Sequence, residues 1–390
     1  MENTMKRIGV ISFFQSQNLG DILIGESLNR LFGKYSKVTN IDFSSTQIVN
    51  NDKEIASKSM PSRNNNLRNL LSKCEYFMEA ASFINLIINS SKKYRLIEKE
   101  IDECDIIILA GGNMLMDTGH FPIYTYKAYY ALKYAKAHNK KTAVLFVGAG
   151  PINNKWQKSY IKKLLMLSDF TSTRDALSAD FLKSISPNAE IDTWIDPVLI
   201  MDNEKKETKI KHRIGISVFY SPDKRNADKI KNAYVDLINY ILDKYRDSEI
   251  LLYSSAVSDI NDVCAVYAFF DNTERVSMAQ VKSTKQLVEL YRELDLTIAS
   301  RMHSMIVSFV NRKPVIALSW QSKIDGLMSM MGLEQFNVKL SDLNRNIDKV
   351  ADMVGEIYSN YDLLTEHIDN RTELYKQQIN DKLCEYLEGV

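Results

Sequence analysis

The stretch from Asp295 to Lys323, DLTIASRMHSMIVSFVNRKPVIALSWQSK, constrains the fold more than any other part of the chain. Leu296 to Ala299 is a short apolar run that suits a buried strand. Ser300-Arg301-Met302-His303 follows where that strand should end. A helix is expected from near Ser304, with Met305, Ile306, Phe309 and Val310 on one face. Asn311-Arg312-Lys313-Pro314 closes it, and Val315 to Leu318 reads as a second buried strand. This is a strand–helix–strand unit, which requires a parallel sheet. It also sets an arginine and a histidine at a strand C-terminus and a helix N-terminus. Ligands bind along that edge in open α/β sheets, and helix N-termini attract anions. A plainer reading has Arg301 paired with a surface carboxylate and His303 capping the helix.

The rest of the chain repeats this grammar. Arg7 to Phe14 (RIGVISFF) reads as a central strand. Gln15 to Asp21 is a polar turn, Ile22 to Phe32 a helix and Val38 to Phe43 the next strand. The turn contains only Gly20, so the dinucleotide fingerprint is absent. Ser44 to Asn66 is polar and reads as an exposed loop, and Leu67 to Ile101 as helix in two pieces. Phe77, Met78, Ala81, Phe83, Ile84, Ile87 and Ile88 make that helix apolar. They suit core or lid packing, or contact with a bulky or lipid-linked acceptor, which leaves peripheral membrane contact open. Asp105 to Ala110 is a buried strand ending in Gly111-Gly112-Asn113. Pro122 to His138 is a tyrosine-rich helix. Thr142 to Val147 is a strand ending in Gly148-Ala149-Gly150-Pro151. A helix over Trp156 to Leu167 precedes a short strand, Phe170 to Thr173, that delivers Arg174-Asp175.

Asp202 to Lys211 is charged and reads as a linker. Arg213 to Phe219 (RIGISVF) then restarts the opening pattern, which implies a second domain of the same architecture. Strands at Glu249 to Tyr253 and Glu274 to Ser277 and helices at Asn226 to Tyr245, Ile260 to Phe269 and Thr284 to Arg292 lead back to the first stretch. Helices at Ser322 to Met331, Leu343 to Tyr358 and Arg371 to Leu387 close the chain. The expected division is 1–201, carrying a helical insertion over about 44–101, then 212–368, then a C-terminal helix over 369–390 that packs back on the first domain.

Composition narrows the function. The 390 residues carry 50 basic and 49 acidic side chains, a net charge of +1, which argues against a nucleic-acid partner. The four cysteines lack CxxC spacing and the five histidines lack HxxxH spacing, so no metal site is expected. Lys6-Arg7 runs directly into the first strand, and no apolar run spans a bilayer, so the expected location is cytoplasmic. Two arginines, Arg174 and Arg301, with Lys323, suit a small polyanion bearing phosphate and carboxylate. His303 is the natural acid–base candidate beside them. Plainer readings stand for several residues. Asp21 could be the N-cap of its helix, Lys323 a solvated lysine, His120 a surface histidine, and the tyrosines from Tyr124 to Tyr134 helix packing.

Read in order, NLGDILIGESL, DIIILAGGNML, VGAGP, STRDALS, DPV, ASRMHSMI and KPVIALSWQSK resemble the polysaccharide pyruvyl transferases, from about Ile8 to Gly326. The resemblance implies a glycosyltransferase-B-like α/β fold. Two Rossmann-like domains would face a central cleft, with acceptor on the first and donor on the second. It implies transfer of the enolpyruvyl unit of phosphoenolpyruvate onto sugar hydroxyls of a surface polysaccharide or its lipid-linked precursor, giving a ketal and phosphate. No cofactor and no strict metal requirement are implied, and the work would be done in the cytoplasm or at the inner face of the membrane. Matched by motif, His303, Arg301 and Asp21 form the expected catalytic set. Arg174, Arg301, Met302, Asn18, Gly20, Gly111, Gly112, Asn113, Gly148, Gly150 and Lys323 are the expected substrate-binding set. Two departures stand out: Asn113 replaces the third glycine of the usual run, and Met302 replaces the usual leucine between arginine and histidine. The rival readings are a glycosyltransferase of the same architecture using a nucleotide sugar, and a non-catalytic binding protein. Acceptor identity and oligomeric state stay open.

Overall fold

The computed structural model describes residues 6–16, 18–43, 65–116, 119–201, 210–220 and 226–388. The expected loop over Ser44 to Asn66 therefore lies outside the described residues up to position 64, and so does the expected linker from 202 to 209. The chain divides into two compact units. One comprises Met1–Gln15 and Leu28–Trp194, the other Ser16–Ser27 and Ile195–Val390.

The first unit is built on a parallel sheet of β1 (Arg7–Ser12), β2 (Lys37–Asp42), β3 (Ile106–Ala110), β4 (Lys141–Val147), β5 (Phe170–Thr173) and β6 (Asp192–Thr193). Its order is β2-β1-β3-β4-β5-β6. Every residue of β3 is buried, as the run IIILA requires of a strand covered on both faces. The polar β2 lies at one edge and is only partly covered. The helices are α1 (Leu19–Gly33), whose first part belongs to the second unit, then α2 (Asn65–Ile88), α3 (Ser90–Asp102), α4 (Ile123–Ala137), α5 (Lys155–Leu167) and α6 (Ala176–Ile185). The expected break in the second helix falls at Asn89. Asn89 leaves the helical conformation (φ −104°, ψ 21°): its N–H donates to Asn85 C=O at 3.0 Å to close α2, and its C=O accepts Lys93 N–H at 2.9 Å to open α3.

The second unit repeats the plan with β7 (Arg213–Ser217), β8 (Glu249–Tyr253), β9 (Val276–Ala279), β10 (Leu296–Ala299), β11 (Val315–Ser319) and β12 (Asn337–Lys339). All pair in parallel in the order β12-β11-β10-β7-β8-β9. The strand order therefore reverses between β7 and β10. The helices are α7 (Ala227–Lys244), α8 (Ile260–Tyr267), α9 (Thr284–Arg292), α10 (Met302–Val310), α11 (Ser322–Met331), α12 (Ile347–Ser359) and α13 (Tyr361–Glu388).

The expected elements are present, the short edge strands β6 and β12 come in addition to them, and the remaining differences lie at the ends. Helix α10 begins at Met302 rather than near Ser304, because Arg301 is extended (φ −99°, ψ 129°) and the chain turns at once into the helix. Helix α13 begins ten residues before the expected Arg371 and packs on α10, α12 and the short 3-10 helix Pro197–Ile200. Arg312 pairs with Asp369 of α13 at 3.3 Å, and Tyr375 OH donates to Met330 C=O at 2.7 Å.

Candidate functional site

In the second unit the candidate site lies where the strand order reverses, the position at which open α/β sheets take ligands. Strand β10 ends at Ala299, and buried Ser300 is held by Tyr234 OH at 2.7 Å and by Trp320 Nε1–H, which donates to its carbonyl at 2.9 Å. With Ser300 fixed, Arg301 leaves the sheet in a set direction. Its Nε and Nη2 donate to the two carboxylate oxygens of Asp259 at 2.8 and 2.6 Å. Its guanidinium also lies 4.0 Å from the centre of the Phe219 ring. Asp259, at the end of the 3-10 turn Val257–Asp259, is 3% exposed. The plainer expectation of a surface partner is thus corrected: the partner is buried. A bidentate pair fixes the guanidinium plane. It occupies the Nε/Nη2 edge of the guanidinium and not the Nη1 edge.

His303 sits in the first turn of α10, and it does not cap that helix. The N-cap position is Arg301, which makes no side-chain cap. The His303 side chain is 11% exposed, and its Nε2 is 3.7 Å from Oδ2 of Asp196, itself 2% exposed. The other carboxylate oxygen of Asp196 accepts Val198 N–H at 3.0 Å, starting the 3-10 helix Pro197–Ile200. The Asp196 carboxylate thus faces the imidazole at ion-pair distance, with the positive end of α10 on the same side chain.

Gly20 closes on the imidazole from the other side. A Cβ there would lie 2.3 Å from His303 Nδ1 and 2.4 Å from Cγ, so only glycine lets the turn approach so closely. The turn is fastened by Leu19 N–H to Ser255 C=O at 3.0 Å and by a bridge between Asn18 and Ala256. Asn18 Oδ1 accepts Gly20 N–H at 3.0 Å and caps α1. The alternative in which Asp21 is the cap therefore fails; its carboxylate accepts Ser16 Oγ–H at 3.3 Å. A cavity of about 380 Å³ adjoins this turn, walled by Ile22, Val257, Ile260, Val263, Met278 and Val281 among others. Met302 is half-buried beside Arg301, and Lys323 is half-buried in the first turn of α11, just past β11.

The first unit gathers the remaining motif residues around Arg174. This side chain is 4% exposed, at the C-terminus of β5, and its Nη2 donates to Asn113 Oδ1 at 2.9 Å. Gly111, Gly112 and Gly150 have φ of 77°, 64° and 66°, the left-handed region that favours glycine. Gly148 is needed for space: a Cβ would lie 2.5 Å from Asn113 Oδ1 and 3.1 Å from Arg174 Nε. Asp175 caps α6, accepting Ser178 N–H at 2.7 Å and Ser178 Oγ–H at 2.8 Å. Ser178 Oγ in turn accepts Ala149 N–H at 2.9 Å, joining the two turns.

Sequence reasoning missed Asp259 and Phe219, which carry no local signal. It quoted Asp196 only as part of a motif, although an Asp-Pro after a short strand is a helix-start signal. His120 pairs with Glu79 at 3.1 Å and is exposed, in accord with the surface reading. Tyr126 and Tyr129 pack against Tyr160, in accord with helix packing. Among the described residues no group of three or more His, Cys, Asp or Glu is placed to hold a metal ion.

The family model described as polysaccharide pyruvyl transferase matches residues 18–322. No curated protein matches the chain in sequence. Solved structures similar to it include a putative UDP-N-acetylglucosamine 2-epimerase from Listeria monocytogenes, with 10% identity, TM-score 0.58 and coverage of 99% of this chain and 98% of that one. The S. aureus MnaA-UDP co-structure has 10% identity, TM-score 0.56 and coverage of 99% and 98%. UDP-GlcNAc 2-epimerase from Neisseria meningitidis, bound to UDP-GlcNAc, has 11% identity, TM-score 0.54 and coverage of 98% and 100%. At such identity the likeness concerns the fold alone, which is a glycosyltransferase-B-like, two-sheet α/β fold.

Proposed function

The chain belongs to the polysaccharide pyruvyl transferase family, and we propose that it moves the enolpyruvyl unit of phosphoenolpyruvate onto two hydroxyls of a polysaccharide sugar. The observation that carries this reading is the Arg301–His303 pair at the start of α10. One is fixed by a buried carboxylate with an edge to spare, and the other is braced between Asp196 and Gly20. The Nη1 edge of Arg301 and the N–H groups of the first turn of α10 hold an oxyanion of the donor. Arg174 is the second cation we assign to the donor, by its motif. Protonated His303 gives its proton to the methylene carbon of phosphoenolpyruvate, which makes C2 electrophilic. A sugar hydroxyl adds at C2 and releases a proton that restores the imidazolium. Phosphate leaves with the C2–O bond, and a second hydroxyl closes the ketal as its proton is lost. Asp21 stays in the catalytic set by its motif. We place the reaction in the cytoplasm, at the inner face of the membrane where the acceptor is lipid-linked, and we describe both domains as Rossmann-like.

The test is phosphate release from phosphoenolpyruvate with galactoside and mannoside acceptors, with mass spectrometry for a pyruvate adduct. His303→Ala should fold and lose about 10²–10⁴-fold in turnover. Arg301→Ala and Arg174→Ala should each raise the donor KM. Near-normal turnover in His303→Ala removes that residue from the chemistry. Thermal stabilisation by UDP- or GDP-sugars, with no phosphate release across the acceptor panel, would transfer the chain to the nucleotide-sugar reading.

A further inference from the structure

Helices α2 and α3 carry an outward face that the pyruvylation reading does not use. Asn89 separates the two helices, yet their buried side is continuous, running from Phe83 and Leu86 of α2 through Ser90 to Tyr94 and Ile97 of α3. Phe83, Leu86, Tyr94 and Ile97 turn inward and are buried. On the opposite side Phe77, Ala81, Ile84 and Ile88 follow one another at spacings of four, three and four. Against the described residues Phe77 is 70%, Ile84 57% and Ile88 75% exposed. Met78 and Ile87 flank the stripe and are exposed too. The same face then continues as Lys92, Arg95 and Lys99, all exposed. No position on it between Phe77 and Lys99 is acidic.

We propose that this face docks the protein on an anionic lipid bilayer surface, with the Phe77–Ile88 stripe in the acyl boundary and Lys92, Arg95 and Lys99 over the headgroup phosphates. Exposed apolar side chains beside exposed cations suit a bilayer surface, where the first enter the acyl boundary and the second meet anionic headgroups. Among the described residues no helix is long and apolar enough to cross a membrane, which agrees with a surface mode. Charge favours a bilayer over a second copy of the chain: the cationic run has no complementary acidic run on the face itself.

The test is flotation of the full chain with vesicles of phosphatidylcholine alone and of phosphatidylcholine mixed with phosphatidylglycerol, at low and high salt. Binding should require phosphatidylglycerol and fall as salt rises. A Lys92→Gln, Arg95→Gln, Lys99→Gln variant should bind about 10²-fold more weakly, at the strength expected of three surface cations. A Phe77→Glu, Ile84→Glu, Ile88→Glu variant should not bind, while keeping its melting temperature, because these side chains are exposed. No binding by the unaltered protein, or equal binding by the glutamate variant, overturns the proposal. So does a dimer in sedimentation velocity that the glutamate variant dissolves, which would assign the face to a second copy. The assay needs neither donor nor acceptor, so its failure is separable from failure of the pyruvylation reading.

Discussion

Gly20→Ala makes the sharpest demand on the candidate site. The added methyl carbon would sit 2.3 Å from Nδ1 of His303, 2.4 Å from Cγ and 2.7 Å from Cβ. All three are at least about 1 Å inside an ordinary carbon contact. The turn cannot easily retreat, because Leu19 and Asn18 are fastened to Ser255 and Ala256. The imidazole must therefore move by about 1 Å, and a misplacement of that size costs about 10²-fold in rate. Stability offers a second readout of opposite sign. Near a helix start, replacing glycine by alanine alone would add roughly 0.5–1 kcal/mol, so a fall in melting temperature reports the clash. Gly33→Ala, at the other end of α1 with nothing within 4 Å of the new Cβ, should leave turnover unchanged. The assay is steady-state phosphate release for Gly20→Ala, His303→Ala and the double variant. The double variant should be little worse than His303→Ala, since both changes act through one side chain. A Gly20→Ala enzyme within a few-fold of the unaltered rate would refute the reasoning. So would a penalty that persists in full when His303 is already gone.

Two further outcomes follow from named contacts. Asp196→Asn keeps an oxygen to accept Val198 N–H but removes the charge beside His303. It should lower kcat by about 10-fold or more with donor KM unchanged, which steady-state kinetics can check; an unchanged kcat would show that the carboxylate serves only the turn. In the first unit Lys127 is buried, its Nζ donates to Phe43 C=O, and burial lowers its pKa to about 8, against a weaker opposing pull from Asp42. The unfolded chain then holds the proton between about pH 8 and 10.5 while the folded chain does not, so stability conferred at this site rises with pH across that window. Urea unfolding at pH 7.5 and 10 should show the unaltered protein gaining up to about 3 kcal/mol relative to Lys127→Met. Parallel curves for the two proteins would contradict the shift.

What could be read from the sequence, and what could not, divides along one physical line. Strands β3, β10 and β11 announce themselves because a strand covered on both faces is nearly all apolar, and IIILA, LTIA and VIALS are buried at every position. Arg301 and His303 were legible for a related reason. A polar pair between a buried strand and a helix has only the sheet edge to occupy. Partners from elsewhere in the chain were not legible. Asp259 reaches Arg301 from 42 residues away on a short 3-10 turn. Gly20 reaches His303 only because the start of α1 is fastened to the segment after β8. No local pattern encodes either meeting. Asn113 shows the same limit from the other side. It replaces the third glycine of the family's run, and its amide oxygen holds the buried Arg174 guanidinium. Helix α2 is the remaining case. Its composition signals burial, but apolar residues occupy both of its sides, and periodicity cannot say which side the core takes. Packing does: Phe83 and Leu86 fill the core, and the Phe77–Ile84–Ile88 side is left facing outward. Among the described residues this apolar side is exposed while its opposite side is well packed, and the proposed role at a bilayer surface accounts for it better than a fault in packing.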